Sequence, residues 1–391
     1  MTRILTQALA QQSQVRRYRG HVTYLYAFDV AYEIDRRPIT SVLGQPVTPL
    51  SVDTNKRAPR QLFSYRPLTV KLPPIQRLCP GGPAQVDRQV KIFSVGGPSI
   101  TVRVPFDVSS IAELVQYHDL CFKPGPYSPA ASLHDEVLAL AEQVREDIKS
   151  HLIRPVEKLA PDEAYTVFAI TSPLDTPEGT HVPAEDWFEA NRRQVAALLT
   201  EETNTAHLSD QEADESTSRY LSYYDHDMVV VDWDAALIVD ESRYIDEMVY
   251  LMELANLQLA ELEAYDRLLD NVIDRSYRDL SSNGGLTGIR QWSGRTTLKE
   301  LRELRIDLAR LSDELQNITK FFGDWHLARI YQALASRFHL ADWHKTTDEK
   351  LKTLDDLYQL LQADRNHRTM LILEVTIVLL FILDVVIIFV K

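Results

Sequence analysis

Closely spaced aspartates supply the first chemistry that the sequence could support. Asp225 and Asp227 lie in the segment Tyr223-Tyr224-Asp225-His226-Asp227. In an extended strand, alternation would place both carboxylates on one face, where their oxygens could bind a hard cation such as Mg²⁺. Aspartate is also an ordinary residue at strand ends and turns. We therefore expect a structural role for this pair, with a metal site as the alternative.

Motifs for catalysis are absent from the sequence. It contains no GxxxxGK[ST], GxGxxG, HExxH or GxSxG pattern, so nothing in it indicates a phosphate-binding loop, a zinc protease or a serine hydrolase. Cys79 and Cys121 are isolated, which argues against a disulfide framework and a structural zinc site. We expect a protein without enzymatic activity and without a cofactor.

A second pair of acids lies in the most apolar stretch of the chain. Residues 369–390 contain no glycine or proline, and Glu374 and Asp384 are their only charged residues. A helix of this length spans about 33 Å, enough for a bilayer core. Both acids belong to a row of residues with heptad spacing along one side of the helix, which we call the seam. The seam comprises Met370, Glu374, Ile377, Phe381, Asp384 and Ile388.

Burying two acids in lipid costs free energy, so their presence needs a reason. One interpretation is that they are protonated or reach towards the membrane interfaces and have no function. The alternative is that the seam faces other copies of the same helix, with the acids joining helices or lining a pore. The second interpretation requires a homo-oligomer, and we favour it.

Basic residues before the apolar stretch predict its orientation. Arg365, His367 and Arg368 precede it and only Lys391 follows, so we expect a tail-anchored protein whose N-terminal bulk stays in the cytoplasm. The first 20 residues lack the apolar core of a signal peptide. The bacterial cytoplasmic membrane is the expected location. The arginines between Arg3 and Arg19 precede the first acid, so a mitochondrial targeting segment and a matrix-facing inner-membrane protein are the alternative.

Composition divides the chain into two regions of different character. It has 391 residues and a net charge of −14, which argues against a nucleic-acid groove over most of the surface. All 19 prolines lie between Pro38 and Pro183. Alternating residues from Val22 to Ile34 indicate a strand. We predict an α+β fold: a mixed α/β domain over 1–240, a helical hairpin and stalk over 241–365, and a transmembrane anchor over 366–391.

Individual elements follow from local patterns. Within the first domain, residues 41–83 are predicted as a Pro-rich surface excursion and 201–218 as an acidic loop. The predicted strands are Val90–Val95, Ser99–Phe106, Tyr165–Thr171, Asp227–Val231 and Ala236–Val239, and the predicted helices are Ser109–Leu120, Ser132–Leu152 and Ala184–Leu199.

Two apolar stripes predict the helical hairpin. Leu251, Ala255, Leu259, Leu262, Tyr265, Leu269 and Val272 form the first, and Leu304, Leu308, Leu311, Leu315, Ile318 and Phe322 form the second. Their three- and four-residue steps are typical of coiled-coil packing. No glycine or proline follows Gly323, so we expect a last helix from about Thr347 through the bilayer.

The C-terminal part, over about 220–390, resembles the family of the "required for meiotic nuclear division" proteins and bacterial YagE-type proteins. The segments that carry this likeness are Arg305-Ile306-Asp307, 324–331, Glu349-Lys350-Leu351, Leu373-Glu374-Val375 and Leu383-Asp384-Val385. The family's closing span has two acids ten residues apart. Here Val375 replaces an aromatic residue and Asp384 replaces a glutamate, which favours a distant bacterial branch.

The resemblance implies an inner-membrane-anchored, oligomeric protein without established enzymatic activity, which supports translation in the mitochondrial members. We therefore expect a homo-oligomeric scaffold or tether whose partners are other copies of the chain, the lipid bilayer and an unidentified protein. A ribosome contact is a further expectation, although the acidic charge disfavours it. The alternative is an oligomeric cation-conducting or ion-sensing protein, since the predicted layout resembles that of CorA-type magnesium channels.

Overall fold

The computed structural model of the protein describes most of the chain. The described residues are 17–35, 37–49, 67–93, 97–125, 129–156, 159, 163–174, 180–282, 306 and 325–390. Within these ranges the protein combines a large β-sheet with α-helices, as the α+β prediction requires. The apolar C-terminal stretch is helical, which agrees with the predicted last helix.

The strands of the described residues are β1 (Tyr18–Ala27), β2 (Ala31–Ile34), β3 (Ser41–Val42), β4 (Gln45–Pro46), β5 (Thr48–Pro49), β6 (Leu68–Cys79), β7 (Gly82–Ile92), β8 (Pro98–Val108), β9 (Cys121–Phe122), β10 (Ala131–Ser132), β11 (Leu152–Pro155), β12 (Glu163–Ile170), β13 (Tyr220–Leu221), β14 (Met228–Val231) and β15 (Ala235–Val239). Nine of these described strands form the main sheet, in the order β13-β14-β15-β12-β1-β8-β7-β6-β5.

Strand β1 occupies the centre of this sheet. It pairs antiparallel with β8 on one side and with β12 on the other, over ten and eight residues respectively. The period-2 pattern that begins at Val22 places alternate large residues of β1 on one face, where they are buried, and Thr23, Leu25 and Ala27 on the other face are buried as well. Val22, Tyr24 and Tyr26 all belong to the main hydrophobic core. Pairing between β12 and β15 is parallel, so a crossover connects them.

The helices lie mainly in the C-terminal half. They are α1 (Leu133–Asp147), α2 (Ala184–Leu199), α3 (Asp210–Ser216), α4 (Ser242–Ser282), α5 (Trp325–Arg337) and α6 (Leu340–Val390), together with short 3-10 helices at Ile111–Tyr117 and Lys149–His151. Helix α2 has the predicted bounds. Its buried Trp187 donates a hydrogen bond from the indole nitrogen to the Tyr18 hydroxyl (3.3 Å), which ties α2 to the central strand.

The Pro-rich range 41–83 differs from its prediction as a surface excursion. Its second half contains β6, which pairs with β7 along most of its length. Pro73 and Pro74 fall where the register shifts between Leu72 and Ile75. Proline is tolerated at such a bulge because the ladder does not use its missing N–H group there. The prolines therefore mark an irregularity within a strand.

The acidic range 201–218 also contains an element that the loop prediction missed. Helix α3 begins after Ser209, whose hydroxyl accepts a hydrogen bond from the Glu212 amide (3.0 Å). Arg192 and Arg193 of α2 form ion pairs with Asp214 and Asp210, both at 2.9 Å. A serine N-cap and these cations stabilise a short acidic helix that is too polar to be recognised from hydrophobic periodicity.

The described residues form two compact units, and the predicted domain boundaries at 240 and 365 stay a prediction. Among the described residues, the first unit holds those up to Glu261 and 325–341, and the second holds Leu262–Ser282, Ile306 and 342–390. The first unit extends into α4 because the start of this helix packs on the sheet: Tyr250, Leu254 and Leu257 contact Ala27 and Phe93.

The predicted helical hairpin is described only in part. In α4 the first apolar stripe is buried at Leu251, Ala255, Leu259, Leu262, Leu269 and Val272. The second stripe, from Leu304 to Phe322, lies outside the described residues. Coiled-coil pairing between the two stripes therefore stays a prediction.

Candidate functional site

The C-terminal part of α6 is the strongest functional feature of the described residues. Thr369–Ile387 is the one helical segment among them that is long and apolar enough to cross a bilayer. Its 19 residues span about 28 Å. None of this segment is buried against the rest of the protein, so its leucine, isoleucine and valine side chains are exposed. The segment is a candidate membrane anchor.

The predicted polar seam lies along this segment. Met370, Glu374, Ile377 and Phe381 are all exposed side chains of one helix, at the spacing that places them on one side. For Asp384 and Ile388 the structure describes the helical backbone but not the side chains. The contact of this seam with a second copy of the helix stays a prediction.

The predicted basic flank precedes the anchor within the same helix. His367 is exposed, and Arg365 and Arg368 lie in the helical backbone, their side chains being outside the described residues. The three residues fall within the turn and a half before Met370. Their role as a basic flank at a membrane surface stays a prediction.

A charged contact joins α6 to α4 within the second unit. The Lys350 ammonium group forms ion pairs with Asp266 (2.7 Å) and Asp270 (2.6 Å), which lie four residues apart on α4. Partial burial opposes the charge, but the two carboxylates raise the pKa of Lys350 above its ordinary value. Leu354, one turn after Lys350, packs against Leu269 and Val272. The two helices are therefore neighbours before α6 becomes apolar.

The structure gives the candidate metal pair Asp225 and Asp227 separate roles. The buried Asp227 carboxylate accepts hydrogen bonds from the backbone amides of Tyr223 (2.7 Å) and Tyr224 (3.1 Å). Asp225 is exposed and contacts the ring nitrogens of His226 (3.0 Å) and His181 (3.5 Å). Among the described residues, no three His, Cys, Asp or Glu side chains are grouped to hold a metal ion.

A buried ion pair between the sheet and α4 was not predicted from the sequence. The Glu253 carboxylate accepts hydrogen bonds from the Lys91 ammonium group and from the hydroxyls of Ser99 (2.7 Å) and Thr101 (3.2 Å). The Lys91 nitrogen also lies 5.3 Å from the centre of the Tyr250 ring. Only 1% of the Glu253 side chain is exposed. Its one sequence signal is a charge inside the apolar run from Leu251 to Leu254.

A second ion-pair network holds α5 on the edge of the sheet. Arg337 contacts the buried Asp232 carboxylate in the turn between β14 and β15, and Glu215 of α3 at 2.8 Å. Burial raises the pKa of Asp232, and the guanidinium group of Arg337 opposes this shift. Phe338 packs edge-on against the Tyr165 ring. These contacts fix the start of the final helical segment on the folded sheet.

The fold and the exposed apolar helix define a class: an α/β protein that carries one candidate membrane helix. The family described as "Uncharacterized protein MJ0711, N-terminal domain" matches residues 19–245, more than half of the chain, so the chain belongs to this family. Those residues include all of the nine-stranded sheet except Tyr18, the first residue of β1.

One relative has the same name as the family. It is "Uncharacterized protein MJ0711" of Methanocaldococcus jannaschii, 23% identical over 252 residues, which cover 64% of this chain and 73% of the relative. No solved structure matches the chain. Membership of an uncharacterised domain family is thus established, and the resemblance to the meiotic nuclear division and YagE-type proteins stays a prediction.

Proposed function

We propose that this chain is a membrane-anchored, homo-oligomeric scaffold without catalytic activity, which holds its folded first unit at the surface of a bilayer. The exposed apolar segment Thr369–Ile387 carries this proposal. A single helix with apolar side chains on every side has no stable place in water, since soluble monomers rarely expose large contiguous apolar patches. Insertion into lipid removes that surface from water and leaves every helical backbone group hydrogen-bonded.

The proposed orientation keeps the first unit on the cytoplasmic side of a bacterial inner membrane, with the matrix side of the mitochondrial inner membrane as the alternative. His367, with Arg365 and Arg368 in the same turns of α6, precedes the span and supports this orientation through the positive-inside rule. A partner protein bound by the first unit would then be kept close to the membrane. A ribosome is the partner that the family resemblance suggests.

Arginine substitutions at the centre of the span test the anchoring. The full-length chain carrying Leu379→Arg and Leu380→Arg loses about 3–4 kcal/mol of insertion free energy at each position, because a favourable leucine is replaced by an unfavourable arginine. We expect wild-type protein to float with membranes on a density gradient and to resist alkaline extraction, while the double variant remains at the bottom. Leu360→Arg is the matched control, because Leu360 is an exposed leucine of the same helix outside the span. Wild-type protein that is extracted by alkali would contradict the proposal.

Cation conduction is a second candidate because Glu374 exposes an acidic side chain in the otherwise apolar span. In an oligomer, a ring of Glu374 side chains would attract cations. The test is cation flux into liposomes that contain the full-length protein, compared with Glu374→Gln. Cation flux that Glu374→Gln lowers would favour a channel. Absence of flux in a sample shown to contain defined oligomers would exclude the channel and favour the scaffold.

A further inference from the structure

Four rings form a continuous row on the surface of the first unit. His226 stacks on Tyr224 with ring centres 5.4 Å apart, and Tyr224 contacts Tyr223 edge-on at 4.7 Å. Tyr223 in turn contacts His326, the second residue of α5, at 5.5 Å. We call these four residues the ring ladder. It joins the segment between β13 and β14 to the start of α5.

The two tyrosines of the ring ladder are exposed to an unusual degree for aromatic side chains, and His326 is half-buried. The exposed fractions are 59% for Tyr223 and 55% for Tyr224, and Trp325, which is adjacent to His326 in the chain, is 76% exposed. Tyrosine and tryptophan are enriched at protein interfaces because their large rigid rings are ordered at low entropic cost. Core packing does not account for side chains that keep more than half of their surface in water.

The backbone beneath the ladder is fixed before any partner binds. Both oxygens of the buried Asp227 carboxylate accept hydrogen bonds, one from the Tyr223 amide and one from the Tyr224 amide. The two tyrosines are therefore presented by a turn with a defined conformation. A preformed surface of this kind binds more tightly because less conformational entropy is lost on association.

The charge around the ladder selects the chemistry of a partner. Asp225, between the second tyrosine and His226, has an exposed carboxylate, and an arginine that pairs with it would compete with the rings of His226 (3.0 Å) and His181 (3.5 Å). The chain around the ladder, residues 201–247, contains 14 acids and two basic residues, Arg219 and Arg243, and some of these acids are already paired with arginines, among them Asp210, Asp214, Glu215 and Asp232. An acidic aromatic surface repels the phosphates of nucleic acid and attracts cations, which also interact with the faces of tyrosine rings.

We propose that the ring ladder, with Trp325 and Asp225, binds an arginine-rich segment of a partner protein. The planar guanidinium group stacks on aromatic rings and pairs with a carboxylate through two donors, so arginine fits this surface better than lysine. The inference goes beyond the scaffold proposal and does not depend on it, since all these residues belong to the first unit.

A peptide-binding measurement on the full-length protein in a non-ionic detergent tests this inference. The probe is a fluorescent peptide of alternating arginine and glycine, followed by anisotropy. We expect Tyr223→Leu with Tyr224→Leu to weaken binding about tenfold, since two cation–π contacts are lost while apolar volume is kept. Asp225→Asn is expected to weaken binding about fivefold. An alternating lysine–glycine peptide should bind less tightly than the arginine peptide.

Tyr277→Leu is the matched control, because Tyr277 is another exposed tyrosine (52%) and belongs to the second unit. It should leave the affinity unchanged. Trp325→Leu provides a second variant on the ladder side should the double tyrosine variant fold poorly. Absence of binding by wild-type protein, equal loss in the Tyr277 control, or tighter binding of a single-stranded RNA would each overturn the proposal. If the ladder variants changed the oligomer mass without affecting peptide binding, the surface would be a contact between copies of the chain and the proposal would be wrong.

Discussion

At the scale of single residues, the buried contact between Lys91 and Glu253 explains how α4 lies on a polar part of the sheet. A carboxylate and an ammonium group removed from water are tolerated only as a pair, with their remaining hydrogen-bonding capacity satisfied. Ser99 and Thr101 supply two further donors to Glu253, and the Tyr250 ring lies beside Lys91. The pair therefore specifies where α4 docks.

Single and double substitutions of Lys91 and Glu253 show whether the pair mainly specifies the position of α4 or also adds to the free energy of unfolding. Glu253→Leu leaves the Lys91 charge buried without its partner, so we expect a loss of about 3–5 kcal/mol in the free energy of unfolding. Lys91→Met combined with Glu253→Leu should recover most of that loss. Asp246→Asn is the control, because the Arg103–Asp246 pair is largely exposed and should contribute less than about 1 kcal/mol. Denaturant midpoints measure these changes, and equal single and double variants would contradict the interpretation.

His21 gives stability a specific pH dependence. Burial is the main cause that lowers the pKa of His21 to about 4, and the positive charge of the nearby Arg103 contributes to this shift. The negative charge of Asp246 acts in the opposite direction. Its Nε2 atom is also buried without a hydrogen-bond partner among the described residues. Between pH 6.5 and about 4, the His21 imidazole is therefore protonated in the unfolded chain and neutral in the folded chain. This contribution to stability is present above pH 6.5 and is lost as the pH falls towards 4.

Thermal unfolding across this pH range checks the sign. His21→Gln should reduce the fall in melting temperature between pH 6.5 and about 4, where His21 contributes at most about 1.4 kcal/mol per pH unit. Asp240 acts in the opposite direction: burial raises its pKa to about 6, so its contribution is lost as the pH rises through that value. The comparison of wild type with His21→Gln cancels the Asp240 effect. Identical pH profiles would contradict the assignment.

At the scale of secondary-structure elements, the centre of the sheet depends on the absence of a side chain at Gly20. A Cβ atom built there would lie 1.8 Å from the backbone oxygen of Ala169 on β12. Neither strand can move aside, because β1 is hydrogen-bonded on both sides. Glycine at this position allows β1 and β12 to approach.

Alanine substitutions at two glycines give a graded test. Gly20→Ala should destabilise the protein by about 3 kcal/mol or more, since the clash is with backbone. Gly81→Ala should cost about 1 kcal/mol, because its added Cβ would meet only the Tyr117 hydroxyl at 2.9 Å, at the end of a side chain. Urea unfolding of both variants measures the difference. Similar losses of stability at the two sites would show that the close approach of β1 to β12 does not require glycine at position 20.

Several elements could be predicted from the sequence because their signals are local. The alternation from Val22 to Ala27, the helix α2 and the hairpin of β14 and β15 agree with the structure. The predicted continuation of the first strand to Ile34 is wrong, since residues 31–34 form β2, which pairs with β11 outside the main sheet. Strand β6 was not predicted, because two consecutive prolines usually interrupt a strand. In the structure a β-bulge between Leu72 and Ile75 accommodates them. The predicted helix over 109–120 is a 3-10 helix at Ile111–Tyr117. The Lys91–Glu253 contact joins residues 162 positions apart and leaves almost no trace in local sequence.

At the scale of the whole molecule, the candidate anchor and its acids were predictable from composition alone, while any contact between copies requires a measurement. Phe381 lies on the predicted seam with Glu374, and Leu379 lies on the opposite side of the helix at about 100° per residue. Both side chains are exposed. They therefore form a matched pair for testing the oligomer.

Light scattering of the full-length protein in a mild detergent gives the oligomer mass. We expect a defined oligomer that Phe381→Ala weakens, with a lower mass on dilution, because interhelical packing in lipid relies on close contact of side chains. Leu379→Ala should leave the mass unchanged. A wild-type monomer, or equal effects of both substitutions, would contradict the seam as a contact between copies.

The central position of β1 also has a consequence for the newly made chain. This strand begins at Tyr18, but its second neighbour, β12, begins only at Glu163. Until the ribosome has released that later segment, one side of β1 exposes unpaired backbone groups along an apolar strand, which is a template for aggregation. N-terminal fragments that stop before β12 are therefore expected to need a chaperone, and translational pausing in the first 160 residues would be costly to the cell.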